Sequence, residues 1–142
     1  MQCIRKSVLV PHSADQMYEL VVRCEDYPRF LPWCGGVEIH EQSATVLDVT
    51  VRIEFMKISS HFRTRDTLEP NRILMEFVDG PFRHLRGEWL FTPLMSDACK
   101  IEFELDYEFS SKTLEAVIGP VFSKITSTFV DAFIRQADKL YG

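Results

Sequence analysis

Histidine, serine and cysteine side chains are the groups most able to do chemistry in this chain, and their spacing forms no catalytic set. The four histidines, His12, His40, His61 and His84, are scattered along the sequence. None lies beside a serine or cysteine nucleophile with a third residue that could orient it. A glycine-rich phosphate-binding loop is also missing. The sequence therefore predicts a protein that is not an enzyme, and a cyclase or lyase using a buried Asp or His stays the alternative.

The cysteines and the regularly spaced carboxylates fit structural roles. Cys3, Cys24, Cys34 and Cys99 form no Cys-x-x-Cys pair and have no histidine spacing that suits zinc, so we predict no metal site. We expect four reduced thiols, and a Cys24–Cys34 disulfide is the alternative that the sequence distance allows. Carboxylates alternate with apolar residues along 100–109, which is typical of the wet face of a strand.

Two short segments carry charged or aromatic residues suited to contact with a ligand. Arg83 and Arg86 follow the turn sequence Asp79-Gly80-Pro81, and cations at a turn can hold a polar head group or a phosphate. Phe30 and Trp33 lie in an apolar loop of the kind that gates an opening. We predict these four residues at the entrance of a binding site, although a solvated hairpin end and a loop capping the core would use the same residues.

Length and composition favour one folded domain over residues 1–142. The chain is 46% apolar and contains eleven phenylalanines, which excludes a disordered protein. Its 16 Lys and Arg against 21 Asp and Glu give a net charge of −5, so we expect no DNA partner. No signal peptide and no run of ~20 apolar residues is present. We therefore expect a cytoplasmic protein, with transient peripheral contact at the inner membrane through the loop around Phe30 and Trp33.

Hydrophobic periodicity predicts a sheet followed by one long helix. A strand over 2–10 precedes a helix that starts at Ser13, where Ser13 and Gln16 form a capping-box pattern. Residues 27–36 allow one short helix and then a turn. Further strands are predicted over 47–55, 62–68, 73–78, 85–94 and 100–109, and the expected total is about seven. Apolar residues then recur at three and four, which predicts a helix of about 30 residues kinked at Gly119-Pro120.

These elements predict an α+β fold. Consecutive strands joined by short turns form an antiparallel meander, and a single long helix must bury its apolar stripe against that sheet. We expect a curved antiparallel sheet of about seven strands wrapped around the C-terminal helix, with one or two short helices after the first strand. Large side chains between the two layers either fill the core or line a cavity for an apolar ligand.

The inward-facing apolar residues are the candidate walls of that cavity, and the alternative for each is a purely structural core position. Thirteen of them are predicted to contact a ligand: Val51, Phe55, Phe62, Phe77, Trp89, Phe91, Phe103, Leu105, Tyr107, Val121, Phe122, Ile125 and Phe129.

Four segments taken together resemble a known family. They are Tyr27-Pro-x-Phe30-Leu-Pro-x-Cys34, Val78-Asp-Gly-Pro-Phe82, Gly87-x-Trp89-x-Phe91-Thr-Pro-Leu94 and Cys99-x-Ile101-x-Phe103. In this order they are similar to the family of coenzyme-Q-binding proteins, ribosome-association toxins and "oligoketide cyclases" of the START-like, or helix-grip, superfamily. The resemblance covers nearly the whole chain and is greatest to the bacterial ribosome-association toxins.

The resemblance implies three functions. Coenzyme-Q-binding members hold ubiquinone and support respiration without catalysis, toxin members bind the large ribosomal subunit and block subunit association, and the cyclase name implies a polyketide cyclase or dehydratase. Our main hypothesis is a non-catalytic carrier of a polyprenyl quinone such as ubiquinone, or of another lipid, with no other cofactor. Each buried methylene of a prenyl tail is worth about 0.8 kcal/mol.

The ribosome inhibitor is the alternative, and the cyclase is the less favoured third. A net charge of −5 opposes a broad RNA footprint, so binding to the large ribosomal subunit would need a local basic patch. The candidate residues for such a patch are Arg23, Arg29, Arg63, Arg65, Arg83 and Arg86.

Overall fold

The chain forms one antiparallel sheet, three α-helices and a single turn of 3₁₀ helix in a computed structural model that describes all 142 residues. The strands are β1 (Gln2–Val10), β2 (Cys34–Gln42), β3 (Val46–Phe55), β4 (Ile58–Glu69), β5 (Arg72–Asp79), β6 (Phe82–Met95) and β7 (Ala98–Phe109). The helices are α1 (Ala14–Val22), α2 (Tyr27–Phe30) and α3 (Lys112–Tyr141), and the 3₁₀ turn at Cys24–Asp26 joins α1 to α2.

Strands β2 to β7 form a meander, and β1 adds an edge strand beside β7. The strand order is β1-β7-β6-β5-β4-β3-β2, so every neighbouring pair is consecutive in sequence except β1 and β7. In that pair Gln2 lies opposite Tyr107 and Val10 lies opposite Cys99. The long helix α3 covers the inner face of the sheet. This arrangement confirms the predicted α+β helix-grip fold.

The helix after β1 begins where the capping pattern predicts. The Gln16 backbone N–H donates to Ser13 Oγ, and the Ser13 backbone N–H donates to Gln16 Oε1, each at 3.1 Å. These two bonds satisfy backbone donors that the first helical turn leaves free. The predicted short helix in the following segment is α2.

Strand β2 is the element that the periodicity did not delimit. A turn is predicted after Gly35 and Gly36, whereas the structure carries the strand through both glycines to Gln42. Irregular pairing with β3 interrupts β2 in two places, and its residues from Glu38 onward are exposed. An edge strand with little buried surface has no apolar alternation to reveal it.

Helix α3 supplies the apolar layer that faces the sheet. Ser111 caps it, and it continues through Gly119 and Pro120 as one helix, so the predicted kink stays a prediction. Its length and apolar composition reach those of a membrane-spanning helix. In this fold, however, Phe133 is fully buried and packs edge-on against Trp89, with 5.5 Å between ring centroids. Helix α3 is therefore the core helix of the domain.

The β3–β4 hairpin carries local backbone strain that a substitution can test. Met56 and Lys57 form its turn with positive φ angles of 52° and 65°, a region that costs a residue with a Cβ roughly 1–2 kcal/mol. We expect Lys57→Gly to raise the free energy of unfolding by about 1 kcal/mol, measured by urea denaturation. Lys57→Ala is the matched control because it removes the long side chain and keeps the Cβ. Equal stabilities of the two variants would contradict the strain argument.

Candidate functional site

An apolar cavity lies between the sheet and α3. Its volume is about 70 Å³, and 19 of its 22 lining residues are hydrophobic. That volume corresponds to about two molecules of liquid water. Eight of the thirteen predicted wall residues line it: Val51, Phe62, Trp89, Phe103, Leu105, Phe122, Ile125 and Phe129.

The other five predicted wall residues do not line the cavity. They are Phe55, Phe77, Phe91, Tyr107 and Val121. Phe91 is buried between Trp89 and the ring of Tyr18 on α1. Phe77 and Tyr107 pack against Phe82 in an aromatic cluster that adjoins the cavity wall at Phe122.

The last two of these five are Val121 on α3 and Phe55 on β3. Val121 is buried on α3 beside the lining residue Phe122, and Phe55 is half-buried where β3 ends. For all five, an inward direction on the strand or helix is not enough, because the cavity occupies only part of the space between the layers.

The predicted entrance residues separate into different places. Trp33 is buried and lines the cavity, with its ring centroid 6.1 Å from that of Phe129. Phe30 instead lines a groove on the surface beside α3 and packs on Phe133.

The two arginines of the predicted entrance lie on the outer face of the sheet. The Arg83 guanidinium is 3.7 Å from the Glu108 carboxylate. Arg86 is exposed, opposite Glu76 on β5 and Asp106 on β7. The prediction that Arg83 and Arg86 stand at the entrance of this cavity is therefore wrong, because strand alternation turns them away from it.

A buried carboxylate in the cavity wall is the functional group that the sequence analysis missed. Asp66 lines the cavity on β4 with 7% of its surface exposed, and its Oδ1 atom has no hydrogen-bond partner. Thr64 on the same strand and Thr126 on α3 are the other polar lining residues besides the Tyr27 hydroxyl. The alternation of β4 could have identified Asp66, because Phe62 and Leu68 face inward and Asp66 is an even number of residues from both.

Burial controls the protonation of the cavity groups. It raises the pKa of Asp66 from 3.8 to about 7, and the carboxylate of Asp48 adds to the rise while the Thr64 hydroxyl opposes it. Burial also raises the pKa of the Cys24 thiol to about 12 and that of the Tyr27 phenol well above 10. Neither side chain is ionised near pH 7, so the cavity holds no thiolate nucleophile.

The outer face of the sheet holds a compact ion-pair cluster. Arg63 binds the Asp48 carboxylate through two hydrogen bonds of 2.8 and 3.0 Å, and Arg65 adds a third of 3.2 Å. These bonds, first among them the one from Arg63, hold the pKa of Asp48 below its usual range. Arg65 also binds Glu41. The predicted basic pair is thus locally neutralised.

The remaining basic candidates form ion pairs, and the cysteines form neither disulfides nor a metal site. Arg23 and Arg29 both form ion pairs with Asp26. All four cysteines are free thiols. No group of three His, Cys, Asp or Glu side chains comes together in a way that could hold a metal ion. The arrangement suits an apolar molecule that offers one polar atom to the Asp66 region.

Comparisons with known proteins identify a family and several relatives of this chain. Residues 10–134 match the family described as "Polyketide cyclase / dehydrase and lipid transport". The ribosome association toxin RatA of Vibrio cholerae is 45% identical over 143 residues, which cover 100% of this chain and 99% of that protein. The mitochondrial coenzyme Q-binding protein COQ10 homolog B of Xenopus laevis is 26% identical, over 96% of this chain and 58% of that protein.

Solved structures place the fold in the same group. The Zhui aromatase/cyclase from Streptomyces superposes with a TM-score of 0.81 at 18% identity, covering 99% of this chain and 96% of that one. A START superfamily protein from Mycobacterium smegmatis also gives 0.81, at 19% identity and with 97% and 98% coverage. The chain therefore belongs to the polyketide cyclase/dehydrase and lipid transport family, and it has the START-like, helix-grip fold.

Proposed function

We propose that this protein is a non-catalytic binding protein that holds a hydrophobic ligand, a polyprenyl quinone such as ubiquinone or another lipid, between the sheet and α3 and thereby supports respiration. The observation that carries the proposal is the cavity wall, in which 19 of 22 residues are hydrophobic. A dry wall of this kind gains free energy with each methylene that it covers. The coenzyme Q-binding name of one relative supports the quinone class.

A quinone ring requires the cavity to widen. A cavity that binds benzene in another protein measures about 150 Å³, twice the 70 Å³ found here. Met75 is the side chain best placed to yield, because it is half-buried, flexible and lies directly over Gly87, where an added Cβ would collide with it. We infer that a quinone ring enters this cavity only when the Met75 side chain moves aside.

No histidine lines the cavity, and burial keeps the Cys24 thiol protonated near pH 7, which supports binding without catalysis. The test is to purify the protein from a quinone-producing bacterium, extract it with organic solvent and identify the lipids by mass spectrometry. A near-stoichiometric polyprenyl quinone is the expected result. Protein that carries no lipid, and that takes up none from quinone-loaded vesicles, would overturn the carrier function. Peripheral contact with the membrane, where such a ligand resides, is part of the same proposal.

Binding to the large ribosomal subunit is the second candidate, and the toxin name of the 45% identical relative favours it. The surface groove beside α3 is the place we assign to it. Arg29, Arg135 and Lys139 surround this groove together with Phe30. Arg135 and Lys139 are exposed and lie one helical turn apart on α3. Neither forms an ion pair, unlike Arg63 and Arg65 on the outer face of the sheet.

Charge reversal in the groove tests this second candidate. Overproduction of the unaltered protein should increase the free ribosomal subunits in sedimentation profiles. We expect the double substitution Arg135→Glu and Lys139→Glu to remove at least half of that increase, because phosphate contacts need the cations. Lys57→Glu, on the distant β3–β4 turn, is the control. An unaltered profile with the parent protein would exclude ribosome inhibition, and equal activity of the double variant would exclude this groove.

A further inference from the structure

Asp66 has one carboxyl oxygen, Oδ1, that no group of the protein satisfies. Its neighbours across the sheet are Leu47 on β3 and Met75 on β5, and both are apolar. The carboxyl Oδ1 is buried and has no hydrogen-bond partner. Buried polar atoms in folded proteins nearly always have a partner. An orphaned carboxyl oxygen in a ligand cavity therefore points to a partner supplied by the ligand.

The surrounding charges do not serve this carboxyl. Arg63 and Arg65 are on the same strand, but alternation places them on the outer face, where Asp48 binds both. Cys24 and Tyr27 are the other titratable lining residues, and both are neutral near pH 7. The Tyr27 hydroxyl donates a hydrogen bond to the Val21 carbonyl oxygen. Of the two lining threonines, Thr126 donates to the Ser123 carbonyl oxygen, and Thr64 lowers the pKa of Asp66 through a side-chain hydrogen bond. No cation lines the cavity, and the Oδ1 atom of Asp66 stays without a partner.

We propose that Asp66 is the polar anchor of the cavity and that its protonated carboxyl donates a hydrogen bond to a carbonyl oxygen of the bound ligand. This inference rests on the proposed carrier function and names the feature of the ligand that the cavity selects. A quinone ring offers carbonyl acceptors and no donor, so it complements a carboxylic acid. A prenyl chain without a carbonyl fills the apolar wall equally well and leaves the acid unsatisfied.

The anchor makes ligand affinity depend on pH. Because burial raises the pKa of Asp66 to about 7, the donor is present at pH 6 and largely lost at pH 8. A carboxylate facing a carbonyl oxygen would repel it. Linkage then predicts that the dissociation constant of a carbonyl-bearing ligand rises about tenfold from pH 6 to pH 8.

Two probes and two variants separate the anchor from the carrier function. The probes are a short-chain prenylated benzoquinone and the same prenyl chain on a ring without carbonyls. Trp33 and Trp89 are the only tryptophans and both line the cavity, so their quenching reports quinone binding and competition reports the carbonyl-free probe. Asp66→Leu removes the donor. Asp66→Asn keeps an N–H donor and removes the titration, and circular dichroism verifies that both variants fold.

We expect Asp66→Leu to weaken quinone binding at pH 6 at least tenfold and to leave the carbonyl-free probe within twofold of the parent. Asp66→Asn should bind the quinone at both pH values within threefold of the affinity that the parent shows at pH 6. Should Asp66→Leu lower the affinity for both probes equally, or should the parent show no preference for the carbonyl at pH 6, the anchor is wrong while the carrier function stands. If the parent binds neither probe, both proposals fail.

Discussion

Asp66→Asn is expected to stabilise the protein by about 3 kcal/mol at pH 8 and to change its stability by less than about 1 kcal/mol at pH 4.5. The folded protein raises the pKa of this carboxyl from 3.8 to about 7. Between these values the native state keeps a proton that the unfolded chain releases, so stability falls as the pH rises. The full shift is worth roughly 4 kcal/mol, and the burial of the amide costs about 1 kcal/mol of that gain.

Urea unfolding at pH 4.5 and pH 8 measures the difference, and Asp48→Asn is the matched control. Asp48 is also buried, but Arg63 and Arg65 hold its pKa below the usual range. Its contribution to stability is present above the unfolded pKa and is lost as the pH falls through the folded one. Asp48→Asn should therefore destabilise the protein at pH 8. A stabilisation by Asp66→Asn that is equal at both pH values would contradict the raised pKa.

The parts of the fold predicted from sequence are those in which one face is buried and the other is wet. Residues 47–55 alternate without exception, and all of them lie in β3 with the apolar set inward. Helix α3 follows the same logic with a period near four. The periodicity did not predict strand β2, because β2 is an exposed edge strand and needs no apolar pattern.

The sequence predicted which side chains point between the sheet and the helix, but not which of them line the cavity. Alternation identified which side chains point between the layers, but only packing determines which of them reach the cavity. Phe91 points inward and meets α1, whereas Trp89 two residues earlier meets the cavity. Asp66 shows the opposite difficulty. An aspartate usually lies on the solvent-facing side of a strand, but its position in the alternation places it on the inner side. For a single polar residue within an apolar face, parity is the better guide.

Filling the cavity is the change with the largest expected effect on ligand binding. Ile125 lies on α3, is buried and lines the cavity. We expect Ile125→Trp to lower the amount of co-purified polyprenyl quinone at least tenfold, because the indole takes up space that the ligand needs in a cavity of only 70 Å³. Overpacking of this kind costs about 1–3 kcal/mol of stability, so thermal unfolding accompanies the lipid extraction. Phe122→Trp offers a second obstruction, although Phe122 also packs on Phe82 and Tyr107.

Val117→Trp is the control, because Val117 lies on the same helix two turns earlier with half of its surface exposed. It adds the same indole without entering the cavity and should keep the parent's quinone content. A folded Ile125→Trp protein that still carries quinone at the parent's level would place the ligand outside this cavity. The surface groove lined by Phe30, Arg135 and Lys139 would then be the next site to examine.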